Sequence, residues 1–364
     1  MRTQALVTTL FVGSALFAAA AFPAAASTGG PPQTQKKDRA NALYAKGNES
    51  MKAKNYADAI KAFLAATEAD PKFAAAFSLL GQCYYQIGDD LRAVSAFQRY
   101  LELEPDSPGA LNWLGTAQAK AGQAENALRT FRRVLELNPG KDSVRYAYWG
   151  ASDALNRLGR FPEALAAANE SLKLDPNSPD TLFQLGKAQV GLKHFEEGKA
   201  AFQKSLEKRP DWTLALESLA VAFASLGDAD NEIATMRKLL AIDPKYPNAS
   251  FALGIALLGD FETEAALVAL KDAVRLDPKN PQVLFELGYA YQQGAPGTED
   301  YPQAVAALKE AFRLKPDFGQ ALLWLGKAYV GMRKKPEAMQ VHSQLRQLDP
   351  RRAAELFADI AQIK

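Results

Sequence analysis

From Ala40 onward, large apolar residues recur three or four positions apart in blocks that each end at a proline. At 100° per residue this spacing collects the apolar side chains on one face of a helix. The closing prolines are Pro71, Pro105, Pro139, Pro176, Pro210, Pro244, Pro278, Pro316 and Pro350. They stand 34 residues apart except for intervals of 37 before Pro176 and 38 before Pro316. Proline lacks an amide hydrogen and cannot continue a helix, so the chain turns at each of these points. Self-similarity at this period predicts a solenoid of nine two-helix units over residues 40–350.

With the proline of each unit set at position 32, a small residue recurs at position 8, as in Gly47, Gly81, Gly115, Ser152, Gly186, Ala220, Gly254, Gly288 and Gly326. Position 20 is equally small in most units (Ala59, Ala93, Ala127, Ala164, Gly198, Ala266, Ala304, Ala338), with Glu232 the exception. Small residues there let helix A and helix B of one unit approach closely. Positions 4, 7, 8 and 11 form the buried stripe of helix A. Ser107-Pro108, Ser178-Pro179 and Asn280-Pro281 pair a capping residue with a first-turn proline, and so mark helix starts. Gly88, Gly122, Gly159 and Gly227 supply turns between helix A and helix B.

Two units are stretched, by three residues within 140–144 and by four within 294–300; both insertions are expected in loops. Unit 7 is expected to turn early, at Gly259-Asp260. Residues 351–364 carry Leu356, Ile360 and Ile363 at helical spacing and read as a C-terminal capping helix.

These positions resemble the tetratricopeptide repeat: a large apolar residue at 4, Leu-Gly at 7–8, an aromatic at 11, Ala at 20, Phe at 24 and Pro at 32. Unit 2 carries them as Phe77, Leu80-Gly81, Tyr84, Ala93, Phe97 and Pro105. The resemblance runs from Ala40 to Pro350 and implies an all-α, right-handed α-solenoid superhelix whose concave groove grips peptides. Ala168 and His342, at position 24, and Glu232 depart from it and put local packing in question.

Residues 1–26 read differently. Arg2 precedes a short apolar stretch that ends in Pro23 and Ala24-Ala25-Ala26, the pattern of a secretory signal peptide cleaved after Ala26. A retained membrane anchor is the alternative. Residues 27–39, polar and rich in Gly and Pro at their start, are expected to form a flexible linker. The expected location is periplasmic or secreted, with no transmembrane span in the mature chain.

Composition narrows the chemistry. The 43 basic and 41 acidic side chains give a net charge of +2, with no electrostatic footprint for nucleic acid. One cysteine excludes an internal disulfide, and two histidines exclude His-rich metal clusters. His194 falls in a turn and His342 at a packing position, neither with a nucleophile or second ligand at helical spacing. Cys83 occupies position 10, where seven of the other units have Ala, and reads as a buried thiol. No phosphate-cradling glycine motif occurs. The expectation is a non-catalytic protein with no cofactor and no metal.

What remains is surface. In the family it resembles, positions 2, 5, 9 and 12 of helix A line the groove. Here that lining starts polar, with Asn48 and Asn112. It passes through Tyr146, Trp149, Asp153 and Arg157, and ends apolar with Phe183, Phe251, Ile255, Leu258, Phe285 and Tyr289. Helices apolar on two faces need a second burial partner. Either neighbouring helices of the stack supply it, or units 5–8 form a channel for an apolar or amphipathic protein segment, with Asn112, Asp153, Arg157 and Lys187 setting register. A glycan stacked on Tyr146, Trp149 and Tyr289 is the alternative occupant. The clamp that some family members use for a C-terminal carboxylate needs Lys at position 5 and basic residues two units on. Tyr44, Gly109 and Trp113 stand there instead.

Overall fold

The computed structural model describes residues 32–363 except 247, 295, 296 and 298. Among them there are nineteen α-helices and no strand. Units 1 to 3 are α1 (Pro32–Lys52) with α2 (Tyr56–Ala69), α3 (Ala74–Gln86) with α4 (Asp90–Leu103), and α5 (Pro108–Lys120) with α6 (Ala124–Glu136). Units 4 to 6 are α7 (Lys141–Arg157) with α8 (Phe161–Leu174), α9 (Pro179–Gly191) with α10 (Phe195–Lys208), and α11 (Thr213–Leu226) with α12 (Ala229–Ile242). Units 7 to 9 are α13 (Ala249–Gly259) with α14 (Thr263–Leu276), α15 (Pro281–Ala290) with α16 (Tyr301–Leu314), and α17 (Gly319–Gly331) with α18 (Lys335–Leu348). The cap, α19 (Pro350–Ala361), closes the stack with Leu356 and Ile360 buried. Each helix packs on its sequence neighbours, which makes the chain an α-solenoid.

Short polar side chains set the helix starts. Asn55, Asp89, Ser107, Ser178, Asp228, Asn280, Asp300 and Asp349 each accept a hydrogen bond from a first-turn amide. The turn inside every hairpin but that of unit 8, where this position lies outside the described residues, uses position 15 in the left-handed conformation. Gly88, Gly122, Gly159 and Gly227 take it at low cost, and Lys54, Lys193, Phe261 and Arg333 take it as non-glycines. Unit 7 therefore does not turn early. Its reversal falls on Phe261 (φ 61°), at the same position as the others, and Gly259-Asp260 only ends α13.

The core explains the glycine at position 8 more sharply than helix proximity does. A Cβ on Gly47, Gly81, Gly115 or Gly186 would come within 2.5 to 2.8 Å of the position-24 ring on the paired helix, Phe63, Phe97, Phe131 or Phe202. Those four rings are among the most deeply buried side chains in the molecule. Glycine makes room for the ring, and the ring fills the space over the glycine.

Units 7 and 8 keep the glycine and place Leu270 and Leu308 over it, while units 4 and 9 depart further. In unit 4 position 24 is Ala168, and the Ser152 hydroxyl at position 8 donates to the Ala164 carbonyl at 2.9 Å. In unit 9 position 24 is His342, half-buried and 5.3 Å from the Phe357 ring. Leu356 of α19 then covers Gly326 instead. Glu232 is half-buried, its carboxyl raised above the usual range by that burial.

Two segment expectations change. Residues 32–39, expected as linker, lie in α1, in a run of good helix formers. Residues 1–31, and with them the signal peptide and cleavage site, lie outside the described residues. The insertion at 140–144 is not a loop, because α7 begins at Lys141 and absorbs it as an extra N-terminal turn. The second insertion does fall between α15 and α16, part of it outside the described residues.

Candidate functional site

Along the stack, helices A of successive units touch one another, as α5 with α7 and α7 with α9, while successive B helices make no comparable contact. The A helices therefore line the inner curve, and the expected lining is positions 2, 5, 9 and 12. The side chains there divide into two groups.

Position 5 mostly builds the stack. Phe183 is 4% exposed, its ring centroid 4.6 Å from Trp212 and 5.7 Å from Phe202. Phe285 is equally buried, 5.1 Å from Phe318. Asn112 is buried and its Nδ2 donates to the Ser143 carbonyl on the added turn of α7, at 3.2 Å. Phe183, Phe285 and Asn112 are thus structural contacts between units rather than free groove surface. Here the neighbouring unit supplies the second burial partner. Phe251 is half-buried against a cluster of Leu270, Leu287 and Ala290. Trp149 packs edge-on to Tyr146 at 4.9 Å, its indole Nε1 buried without an acceptor.

Positions 2 and 9 are open in units 6 and 7. Leu214, Val221 and Ile255 are 44%, 48% and 43% exposed, and Leu258 and Val190 are half-buried beside them. Leu214, Val221 and Val190 were missed in the sequence, although the same positional rule applied to units 5 and 6 points to them. A cavity of about 340 Å³ opens between α9 and α11, with Phe161, Val190 and Val221 in its walls and Lys187 at its edge. Asn48 is half-buried on α1, far along the chain from this strip.

Next to the apolar strip lies a charged station. Asp153 accepts from Arg157 Nε at 2.8 Å and from Gln184 Nε2 at 3.1 Å, with Lys187 Nζ at 3.8 Å. Asn156 Nδ2 donates to the Gln184 carbonyl at 2.9 Å and holds that glutamine in place. Burial pushes the Lys187 ammonium below the ordinary lysine range; the Asp153 carboxylate opposes the shift and Arg157 adds to it. The sequence grouped Asp153, Arg157 and Lys187, and the structure brings them together. Tyr289 packs on Trp324, with centroids 4.6 Å apart.

Chemistry beyond contact finds little to work with. Among the described residues no group of three His, Cys, Asp or Glu side chains is placed to hold a metal ion. His194 Nδ1 is 3.0 Å from Gln189 Oε1. Cys83 is buried and its thiol is pushed up to about 11 by that burial, which opposes a reactive thiolate. No described helix is long and apolar enough to cross a membrane.

A family model described as "Tetratricopeptide repeat" matches residues 44–108, 91–142, 113–179 and 183–247. A second, "TPR repeat", matches 262–294, and a third, again "Tetratricopeptide repeat", matches 297–363. A comparison with curated proteins gives no match. Among solved structures, the chain is similar to a tetratricopeptide repeat protein from Parabacteroides merdae ATCC 43184 at 16% identity and TM-score 0.56, covering 70% of this chain and 99% of that one. It is also similar to PilW, a type IV pilus biogenesis factor, at 20% identity and TM-score 0.52, over 60% of this chain and 98% of that one. At these identities the likeness is one of fold.

Proposed function

Because this chain belongs to the tetratricopeptide repeat family, whose members mediate protein–protein interaction, we propose that it is a non-catalytic adaptor that grips a segment of a partner protein along its inner curve. The observation that carries this reading is the exposed apolar strip of Leu214, Val221 and Ile255, flanked by the Asp153, Arg157 and Lys187 station. Branched aliphatic side chains left open on an inner helix face mark an interaction surface, and adjacent charges fix the register of what lies there. The segment is amphipathic: its apolar side chains lie on the strip and its polar groups meet the station.

We further propose that the protein works outside the cytoplasm, in the periplasm or as a secreted scaffold. The support is the sequence of residues 1–26, with its basic start, short apolar middle and small-residue end. N-terminal sequencing of protein recovered from the extracytoplasmic fraction tests this. A first residue at Ser27 is expected, and an intact Met1 in the cytoplasmic fraction overturns it.

The groove reading is tested with the double variant Val221→Glu, Ile255→Glu. Both side chains are nearly half exposed, so the fold is retained, as circular dichroism checks. Cross-linked capture of the partner in the native compartment is expected to fall at least tenfold. Unchanged capture by the folded variant removes the reading. A glycan occupant has less support, because Tyr146 packs on Trp149, and Tyr289 on Trp324.

A further inference from the structure

A pocket of about 260 Å³ lies between α5 and the extra first turn of α7. Gly109, Asn112, Trp113, Asp142, Arg145 and Tyr146 line it. It exists because of two features of this chain. The insertion lengthens α7 and carries Asp142 and Ser143 up against α5. Gly109, at position 2 of α5, leaves the opposite side open, since a Cβ there would meet nothing within 4 Å.

The hydrogen-bonding inventory of the pocket is lopsided. Asn112 is 7% exposed; its Nδ2 is committed to the Ser143 carbonyl, while its Oδ1 is buried without a donor. Asp142 enters none of the ion pairs among the described residues, whereas Arg145 is matched by Asp175 at 3.9 Å. The pocket thus offers the Asp142 carboxylate as an accessible acceptor, one cation already paired, and the rings of Trp113 and Tyr146 as walls, while the Asn112 oxygen stays buried.

We propose that this pocket receives an arginine side chain of the partner segment. The proposal rests on the groove reading above and names one anchor of that segment. A guanidinium is planar, permanently positive and donor-only, so it pairs with the exposed Asp142 carboxylate and stacks on an aromatic wall. A carboxylate or phosphate would face the like charge of Asp142. A lysine brings the charge without a flat face, and its compact ammonium does not reproduce the planar fork. The volume is close to the lower end of ligand sites and suits one side chain rather than a whole ligand.

The test uses the intact protein with ¹⁵N-labelled indoles, of which it has four, the Trp113 resonance being assigned through Trp113→Phe. The probes are N-acetyl-arginine amide, N-acetyl-lysine amide, N-acetyl-tryptophan amide and methyl α-glucoside. The arginine amide is expected to shift the Trp113 indole saturably, with a Kd on the order of 1 mM. Gly109→Leu fills the open side and is expected to weaken this at least tenfold, with Asp142→Asn giving a several-fold loss. The proposal is overturned if the lysine amide binds as well, if the tryptophan amide or the glucoside saturates the site instead, or if Trp113 does not respond. Partner capture separates the two readings. Capture lost in Val221→Glu, Ile255→Glu but intact in Gly109→Leu sinks the arginine pocket alone. Arginine binding that persists while the strip variant captures normally sinks the groove reading.

Discussion

Leu356 on α19 lies so close to Gly326 on α17 that a Cβ on the glycine would come within 2.3 Å of the leucine Cδ2. In units 1, 2, 3 and 5 that space belongs to the position-24 ring of the unit's own second helix, and in units 7 and 8 to Leu270 and Leu308. Unit 9 has His342 there, and the terminal helix supplies the missing apolar cover. The cap is therefore part of the ninth unit's core as well as its lid.

Leu356→Ala is expected to cost about 2–5 kcal/mol, because the side chain is fully buried and its neighbours cannot collapse onto a glycine. Urea unfolding followed by circular dichroism measures the loss. In a stack stabilised by nearest neighbours it appears first as fraying of units 8 and 9, visible in hydrogen exchange.

Unit 4 tests the pairing between positions 8 and 24. Ser152→Ala removes a buried donor and is expected to cost about 1 kcal/mol. Ala168→Phe overpacks and is expected to cost about 1–3 kcal/mol. Combined with Ser152→Gly, the same Phe finds the space it has in units 1, 2, 3 and 5, and part of that loss is recovered. Additive losses in the double-mutant cycle contradict the pairing.

Cys83 titrates in the direction opposite to a reactive thiol. Its pKa of about 11 in the fold lies above the ordinary 9.0, so between these values the native state binds the extra proton. This contribution is fully present below pH 9, and stability falls as pH rises through that window. Disulfide-exchange reagents at pH 8 are expected to label Cys83 only as fast as the chain opens, and immediate labelling of native protein contradicts this.

Lys187 shows the reverse sign. Its folded pKa is depressed, so from that value up to the unfolded lysine range the unfolded chain binds more protons, and stability rises with pH. Asp153→Asn removes the carboxylate that opposes the shift. The Lys187 titration, followed by side-chain NMR, is then expected to move further down.

Phe261 is 92% exposed and holds a left-handed conformation that glycine holds at four equivalent positions. Phe261→Gly is expected to raise stability by about 0.5–1 kcal/mol, relief of backbone strain exceeding the entropy that glycine adds to the unfolded chain. Thermal unfolding reads the change, and a clear loss of stability would contradict it.

Much of the architecture was legible in the chain. The period, the small residues at positions 8 and 20, the Ser-Pro and Asn-Pro helix starts and the capping helix all follow from local rules acting within a few residues. The same rules misplaced the turn of unit 7, because Gly259 looked like the reversal while the hairpin geometry put it on Phe261. They also put the added residues near 140 in a loop, although the extended α7 is tied to α5 by Asn112.

The sequence by itself determined the repeat and its hairpins, since helical periodicity, capping and proline stops are encoded side chain by side chain. Which aromatics are surface was decided only by the stack. Phe183 and Ile255 both stand at groove positions, but Phe183 is closed over by Phe202 and Trp212, whereas Ile255 stays 43% exposed. Burial depends on what the neighbouring helix brings against a position, and that neighbour lies about thirty residues away in the chain.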